Sequence, residues 1–205
     1  MSMPQGTTRW WWLRHAPIPD PEGRIAGQLD LPCDTSDEDW FRALANRLPR
    51  NAVLVESGLM RCAQTIGALE AAGLALPPSQ VEPGLIEQDF GRWQGHNWGE
   101  LASAKDPELP AFWRDPASAV PPAGESFSVM VERVGDAIAR LTAEHEGRDI
   151  IAVAHAGTIR AALTVALGIA PAAALAFVVE PLSLTRIDAL SGGWRVVGVN
   201  WLPDY

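Results

Sequence analysis

The chain has 205 residues, 47% of them hydrophobic, and carries a formal net charge of −9 from 16 Lys+Arg against 25 Asp+Glu. That length suits a single domain with a proper core, and the acidic balance argues against a nucleic-acid backbone or an anionic membrane as the main partner. No apolar run approaches the roughly 20 residues that cross a bilayer, M-S-M-P-Q-G at the N-terminus lacks the features of a signal peptide, and Cys33 and Cys62 show no metal or framework spacing, so a cytoplasmic protein with reduced thiols is expected.

The first predicted element is a buried strand in T-T-R-W-W-W-L-R-H, residues 7–15, which halts at Arg14-His15 because Pro17 and Pro19 forbid both strand pairing and helix. A glycine-punctuated loop follows at 23–32. Ser36 with Asp39 resembles a capping box, so a helix starts near Thr35 or Ser36, carries Trp40, Leu44 and Leu48, and stops at Pro49. A-V-L-V-E-S at 52–57 reads as a second strand, and a helix runs from about Leu59 to Ala72 before Gly73. Arg61 falls in its first turn, where free N–H groups and the helix dipole already favour an anion.

Residues 77–83 give a short strand at best. The loop G-L-I-E-Q-D-F-G-R-W-Q-G carries two carboxylates, Glu87 and Asp89, as candidate general acids. From 96 to 125 the chain is polar and proline-rich, with short helices expected near 98–105 and 109–115; a cap-like insertion at about 85–125 is expected over the sheet edge, where Trp93 and Trp98 are candidate pocket walls, core packing being the reading preferred for either one. A long helix from Ser126 to Glu146 presents Val129, Val131, Val134, Ile138 and Leu141 as its buried stripe. D-I-I-A-V-A is a strand halting at His155, followed by a helix closed by Gly168. Two extended runs around Ser191-Gly192-Gly193 form a terminal hairpin.

This order predicts an α/β fold: a three-layer α/β/α sandwich with a mainly parallel central sheet and an antiparallel C-terminal strand pair. Parallel strands place Arg14, His15, Arg61 and His155 along one sheet edge. Four cationic donors in one pocket select a compact dianion, of which phosphate is the commonest. No serine elbow or reactive cysteine stands at a strand end, so a histidine is left as the nucleophile, and a carboxylic acid such as Glu87 suits protonation of the leaving alcohol.

At these residues the chain resembles the histidine phosphatase superfamily, the phosphoglycerate-mutase-like enzymes, over nearly its whole length. L-R-H-A stands at the family's Arg-His-Gly signature, and G-R-I-A-G-Q-L-D-L-P at the loop that follows it. S-G-L-M-R-C-A-Q-T is similar to the second phosphate-binding segment, L-I-E-Q-D-F-G-R-W-Q-G to the acid-bearing loop, P-A-G-E-S at 122–126 to the Gly-Glu-Ser before the long helix, and V-A-H-A-G-T-I-R to the second histidine segment. The resemblance is strongest to the α-ribazole phosphatase and broad-specificity phosphatase branches. It implies a phosphoric monoester hydrolase with His15 as phosphorylated nucleophile, Arg14 and Arg61 on phosphate oxygens, His155 stabilising the transferring group and Glu87 as proton donor, with Asp89 the competing carboxylate. Gln28, Ser57 and Ala156 are the further substrate contacts it implies. It implies no metal and no other cofactor, a small phosphorylated substrate, and no nucleic-acid or membrane partner; a homo-oligomer is neither specified nor excluded.

Ala16 departs from the family's glycine, P-I-P-D replaces residues whose side chains and amides help bind phosphate, and Ala156 stands where a second glycine is frequent. Three other readings compete. Phosphoglycerate-mutase-type transfer needs a second anion site, for which Arg24, Arg92 and Arg114 are candidates. A non-catalytic phosphate-ligand module on the same fold is motivated by the prolines. A metal site of His15, His155 and Glu87 is opposed by Arg14 and Arg61, since guanidiniums beside a dication cost on the order of several kcal/mol.

Overall fold

The computed structural model describes residues 6–20 and 22–203; residues 1–5, within the segment that bears on a leader peptide, lie outside them. The tryptophan run forms β1 (Thr8–Arg14), in which Trp10, Trp12 and Leu13 are all buried. Such a run has no polar face because the strand is covered on both sides. After α1 (Glu38–Arg47) come β2 (Val53–Glu56), α2 (Met60–Ala71) and a two-residue edge strand, β3 (Gln80–Val81). Two 3-10 turns at 83–85 and 91–93 lead to the short helices α3 (Trp98–Ser103) and α4 (Leu109–Arg114). The chain then forms α5 (Phe127–Glu144), β4 (Asp149–Ala154), α6 (Ala156–Leu167), α7 (Pro171–Ala174), β5 (Leu184–Leu190) and β6 (Gly193–Trp201).

The sheet order is β3-β2-β4-β1-β5-β6. β4 pairs in parallel with both β1 and β2, whereas β5 and β6 are antiparallel. One face of the sheet, with Trp10, Trp12, Val55 and Ile150, packs against α5 and α6; the other, with Leu13, Leu54, Ile151 and Val153, packs against α1 and α2. This is the expected three-layer sandwich. A third apolar cluster, Ile25, Trp93, Leu101, Leu109 and Phe112, lies between the 23–32 loop and the segment before α5. Among the described residues no helix is long and apolar enough to cross a membrane.

Local expectations shift in three places, and at Trp93 the preferred of two readings holds. The N-cap of α1 is Asp37, whose carboxylate accepts from the Trp40 amide at 3.0 Å. Ser36 instead donates its amide to Asp34. In α5, Val129 is 49% exposed and Val131 only half-buried; the core-facing stripe runs through Phe127, Met130, Val134, Ile138 and Leu141. Trp93 is core rather than pocket wall, its indole N–H bonded to Asp106 at 3.0 Å. The first of the terminal strands begins at Leu184, because Pro181 lacks an amide proton and Leu182 adopts φ 59°.

Candidate active site

The β1–β4 ladder sets Arg14 opposite Ala154, so the next residue of each strand is a histidine emerging at the same edge. The His15 and His155 ring centroids are 5.1 Å apart. His15 is locked by its own backbone and side chain: its amide donates to Ala154 O at 2.9 Å, and Nδ1 lies 2.7 Å from Ala16 O. A carbonyl can only accept, so Nδ1 carries the proton and Nε2 keeps its lone pair. Burial, and after it the charge of Arg61, lowers the His15 pKa to about 3, so the ring is neutral across the physiological range.

His155 is fully buried and has both nitrogens committed. Arg61 Nε, an obligate donor, lies 3.2 Å from its Nδ1, so the proton sits on Nε2 and is given to Ser57 Oγ at 2.8 Å. Ser57 in turn reaches Cys62 Sγ at 3.3 Å. Burial and then His15 hold the His155 pKa well below its ordinary value.

Arg61 is 1% exposed although it opens a helix. Its remaining nitrogens donate to Leu29 O (2.7 Å) and Gly27 O (2.6 Å), so one guanidinium ties the glycine loop to the end of β4. The α2 amide expected to stand free is taken at Met60 by Asp30 Oδ1 (2.6 Å). Gly27 has φ 48°, and a Cβ there would overlap Gln94, whose Oε1 accepts the Gln28 amide. Arg14 donates through Nη1 to Val179 O (2.6 Å), while its Nε is buried with no hydrogen-bond partner among the described residues. A buried N–H with no acceptor is costly and calls for one from outside the chain.

Glu87 reaches this edge from the opposite side. Its Oε2 accepts from the Gly157 amide (3.2 Å) in the first turn of α6, and Oε1 accepts from the Gln88 amide (2.9 Å). A Cβ at position 157 would overlap Oε1 of Glu87 and displace the carboxylate from this position. Asp89 is placed differently: Oδ1 accepts from Gly91 N at 2.7 Å and closes a turn.

A cavity of about 390 Å³ lies over His15. Arg14, His15, Arg61 and Glu87 line it together, with Phe90 and Trp98; His155, Gln28, Ser57, Ala156 and Asp89 do not. Gln28 instead donates from Nε2 to Glu87 O (3.0 Å), Ser57 sits beneath His155, and Ala156 is the first residue of α6. Among the described residues no group of three or more His, Cys, Asp or Glu has a metal-binding arrangement. In the A-P-I-P segment, Pro17 and Ile18 form cavity wall and the Ala16 amide is bonded to Thr65 Oγ1 (2.9 Å).

Sequence reasoning missed Arg133. Its Nη1 donates to Gly84 O (3.0 Å) and Ile86 O (2.8 Å), its Nη2 donates to Glu87 O (3.0 Å), and its Nε donates to Glu125 Oε2 (3.0 Å). Glu125 precedes the N-cap of α5, so no helical spacing linked it to Arg133 in the sequence.

Fold and site together define an α/β protein with an anion-directed pocket at the carboxyl edge of its parallel strands. The chain belongs to the histidine phosphatase superfamily, branch 1, whose model matches residues 10–202. It is 36% identical over 116 residues to a bifunctional protein of Mycobacterium tuberculosis, a match covering 57% of this chain and 31% of that protein, so the chain spans about a third of that relative's length. It is 26% identical to the adenosylcobalamin/alpha-ribazole phosphatase of Escherichia coli, covering 94% of this chain and 90% of that one. The native structure of a mycobacterial glucosyl-3-phosphoglycerate phosphatase superposes with a TM-score of 0.81 at 26% identity, covering 95% of this chain and 99% of that one.

Proposed function

We propose that the protein is a cytoplasmic phosphomonoesterase that hydrolyses a small phosphorylated metabolite through a phosphohistidine on His15. The observation that carries this reading is the Nδ1–Ala16 bond, which leaves the unprotonated Nε2 in a cavity shared with Arg14, Arg61 and Glu87, with Asp20 and Arg24 also in its lining. Nε2 attacks phosphorus; the P–O bond to the alcohol breaks, and Glu87 supplies the proton that the alkoxide takes up. The same carboxylate then accepts a proton from water, whose oxygen attacks the phosphohistidine, breaks the P–N bond and releases inorganic phosphate. Arg14, with its free Nε, and Arg61 hold phosphoryl oxygens and offset their charge. His155 acts by orienting Arg61, with Ser57 fixing its tautomer, while Gln28 and Ala156 support Glu87 and the start of α6.

Hydrolysis is favoured over mutase transfer by the state of the spare cations. Arg24 is paired with Asp20 and Glu22, Arg92 lies 3.9 Å from Glu108, and neither Arg92 nor Arg114 lines the cavity, so none of the three offers an unpaired cation there for a second anionic group. The test is turnover of an alkyl phosphate with acid-labile ³²P trapped on His15, together with a His15→Ala variant expected to lose about 10⁴-fold or more in kcat. Absence of both turnover and label, with His15→Ala indistinguishable from wild type, would leave only a binding module.

A further inference from the structure

We infer that the alcohol released at this site carries a flat apolar ring and no second anionic group, a substrate class that rests on the phosphatase reading above. The cavity is divided by chemistry. Arg14, His15, Arg61 and Glu87 supply the groups that meet the phosphoryl group, and Pro17, Ile18, Ile25, Leu31, Phe90, Trp98 and Pro181 supply most of the remainder. Pro17 and Pro181 have no N–H to offer. The charged side chains lining the rest are Asp20 and Arg24, and these satisfy each other: the Arg24 amide donates to Asp20 Oδ2 at 2.6 Å, its Nη1 lies 3.6 Å from Oδ1, and its Nη2 pairs with Glu22.

A carboxylate or second phosphate placed there would lose water without gaining a cation. A ring would lose nothing by leaving water and would meet surfaces already set in place. Phe90 and Trp98 stand edge to face with centroids 6.4 Å apart, and Trp98 stacks on Phe112 at 5.5 Å and 19°. Aromatic faces fixed by their neighbours favour offset or edge-on packing of a further ring. A second cavity of about 420 Å³ shares Ile18, Asp20, Arg24, Ile25 and Leu31 with the first and adds Pro19, Leu29 and Pro32, so the apolar lining extends well beyond the reacting group.

Calorimetric binding of three phosphonates, which cannot be hydrolysed, reads the pocket without catalysis: propylphosphonate, 3-phenylpropylphosphonate and 4-phosphonobutyrate. The phenyl compound is expected to bind about tenfold or more tightly than the propyl compound, and the carboxylate compound more weakly than either. Trp98→Ala and, on the proline segment after β1, Ile18→Ser should each narrow the phenyl preference several-fold; Ile18→Ser stands clear of the aromatic cluster, so a folding defect in the first variant does not decide the matter. Equal affinity for the two phosphonates with uncharged tails, tightest binding of the carboxylate compound, or a preference untouched by both variants overturns the inference. Turnover of propyl and 3-phenylpropyl phosphate separates the two claims. Equal turnover with equal binding removes the ring preference and leaves the phosphatase; a phenyl preference in binding without turnover of either ester keeps the preference and removes the phosphatase.

Discussion

Arg14 and His15 at the floor of the cavity, and His155 buried behind them, follow directly from β1 and β4, and the parallel ladder that joins those strands fixes where each side chain emerges. On the facing side, Glu87 and Phe90 stand on a segment whose only regular structure is two 3-10 turns, with Trp98 at the first position of α3. That segment is held from outside, by side chains of Arg133, Gln28 and Glu125 that bond its carbonyls and amides. The floor therefore owes its geometry to backbone pairing and its cost to burial of imidazoles and guanidiniums. The facing side owes its geometry to a few polar side chains and can be loosened one bond at a time.

The largest effect that separates the two sides is expected at the carboxylates. Glu87→Gln keeps the size of the side chain and one of its two backbone-facing acceptors but cannot supply a carboxyl proton, and kcat on an alkyl phosphate should fall by about 10³-fold. On an aryl phosphate with an acidic leaving group the same variant should lose far less, because that alkoxide departs unprotonated. Asp89→Asn, which preserves the acceptor for Gly91 N, is expected to stay within about threefold of wild type. Equal losses at Glu87 and Asp89, or equal losses on both ester types, would remove Glu87 from the role of proton donor.

Acid should strain the floor and spare the facing side. In the folded protein the His15 pKa is about 3, against 6.5 for a free imidazole, and His155 is shifted the same way. The folded state thus binds fewer protons than the unfolded chain below pH 6.5, and the stability fully present above that pH is lost as the pH falls toward 3. Between pH 7.5 and 4.5 the His15 contribution lost is roughly 2–3 kcal/mol. Urea unfolding of wild type and His15→Gln at the two pH values should show a steeper decline in wild type. Parallel declines would mean that His15 titrates normally in the folded protein.

The floor was legible in the sequence because its cues are steric and periodic. An apolar run stopped by Pro17 marks the end of β1, and an apolar run followed by a helix with Gly168 at its close marks the end of β4, so Arg14, His15 and His155 could be placed without knowing what they touch. Arg61 was visible as a cation in a first turn that disfavours it. The facing side was not legible to the same depth. Glu87 and Asp89 are two residues apart in a loop with no period, and only the positions of Gly157 and Gly91 decide which points where. Trp93 and Trp98 were equivalent in composition, yet one is core and the other wall. The partner of Arg14, Val179 O, lies in an apolar stretch that reads as strand until Pro181 and Leu182 are seen to interrupt it.

The smallest effect is the most informative about how the loosely held side is aligned. Arg133 lines no part of the cavity, but its guanidinium spans three carbonyls of the 84–87 segment and pairs with Glu125, and so fixes the backbone from which Glu87 projects. Arg133→Met should lower kcat by about tenfold with little change in KM, as misplacement of a proton donor does without touching substrate binding. Arg133→Lys should not restore it, since an ammonium cannot present the planar fork that reaches all four partners. The decisive measurement is the cycle with Glu87→Gln. If Arg133 works through Glu87, the Met substitution has little further effect once the carboxyl proton is gone; full additivity of the two losses would make Arg133 a stabiliser of the fold and leave the alignment of Glu87 to Gly157 and Gln28.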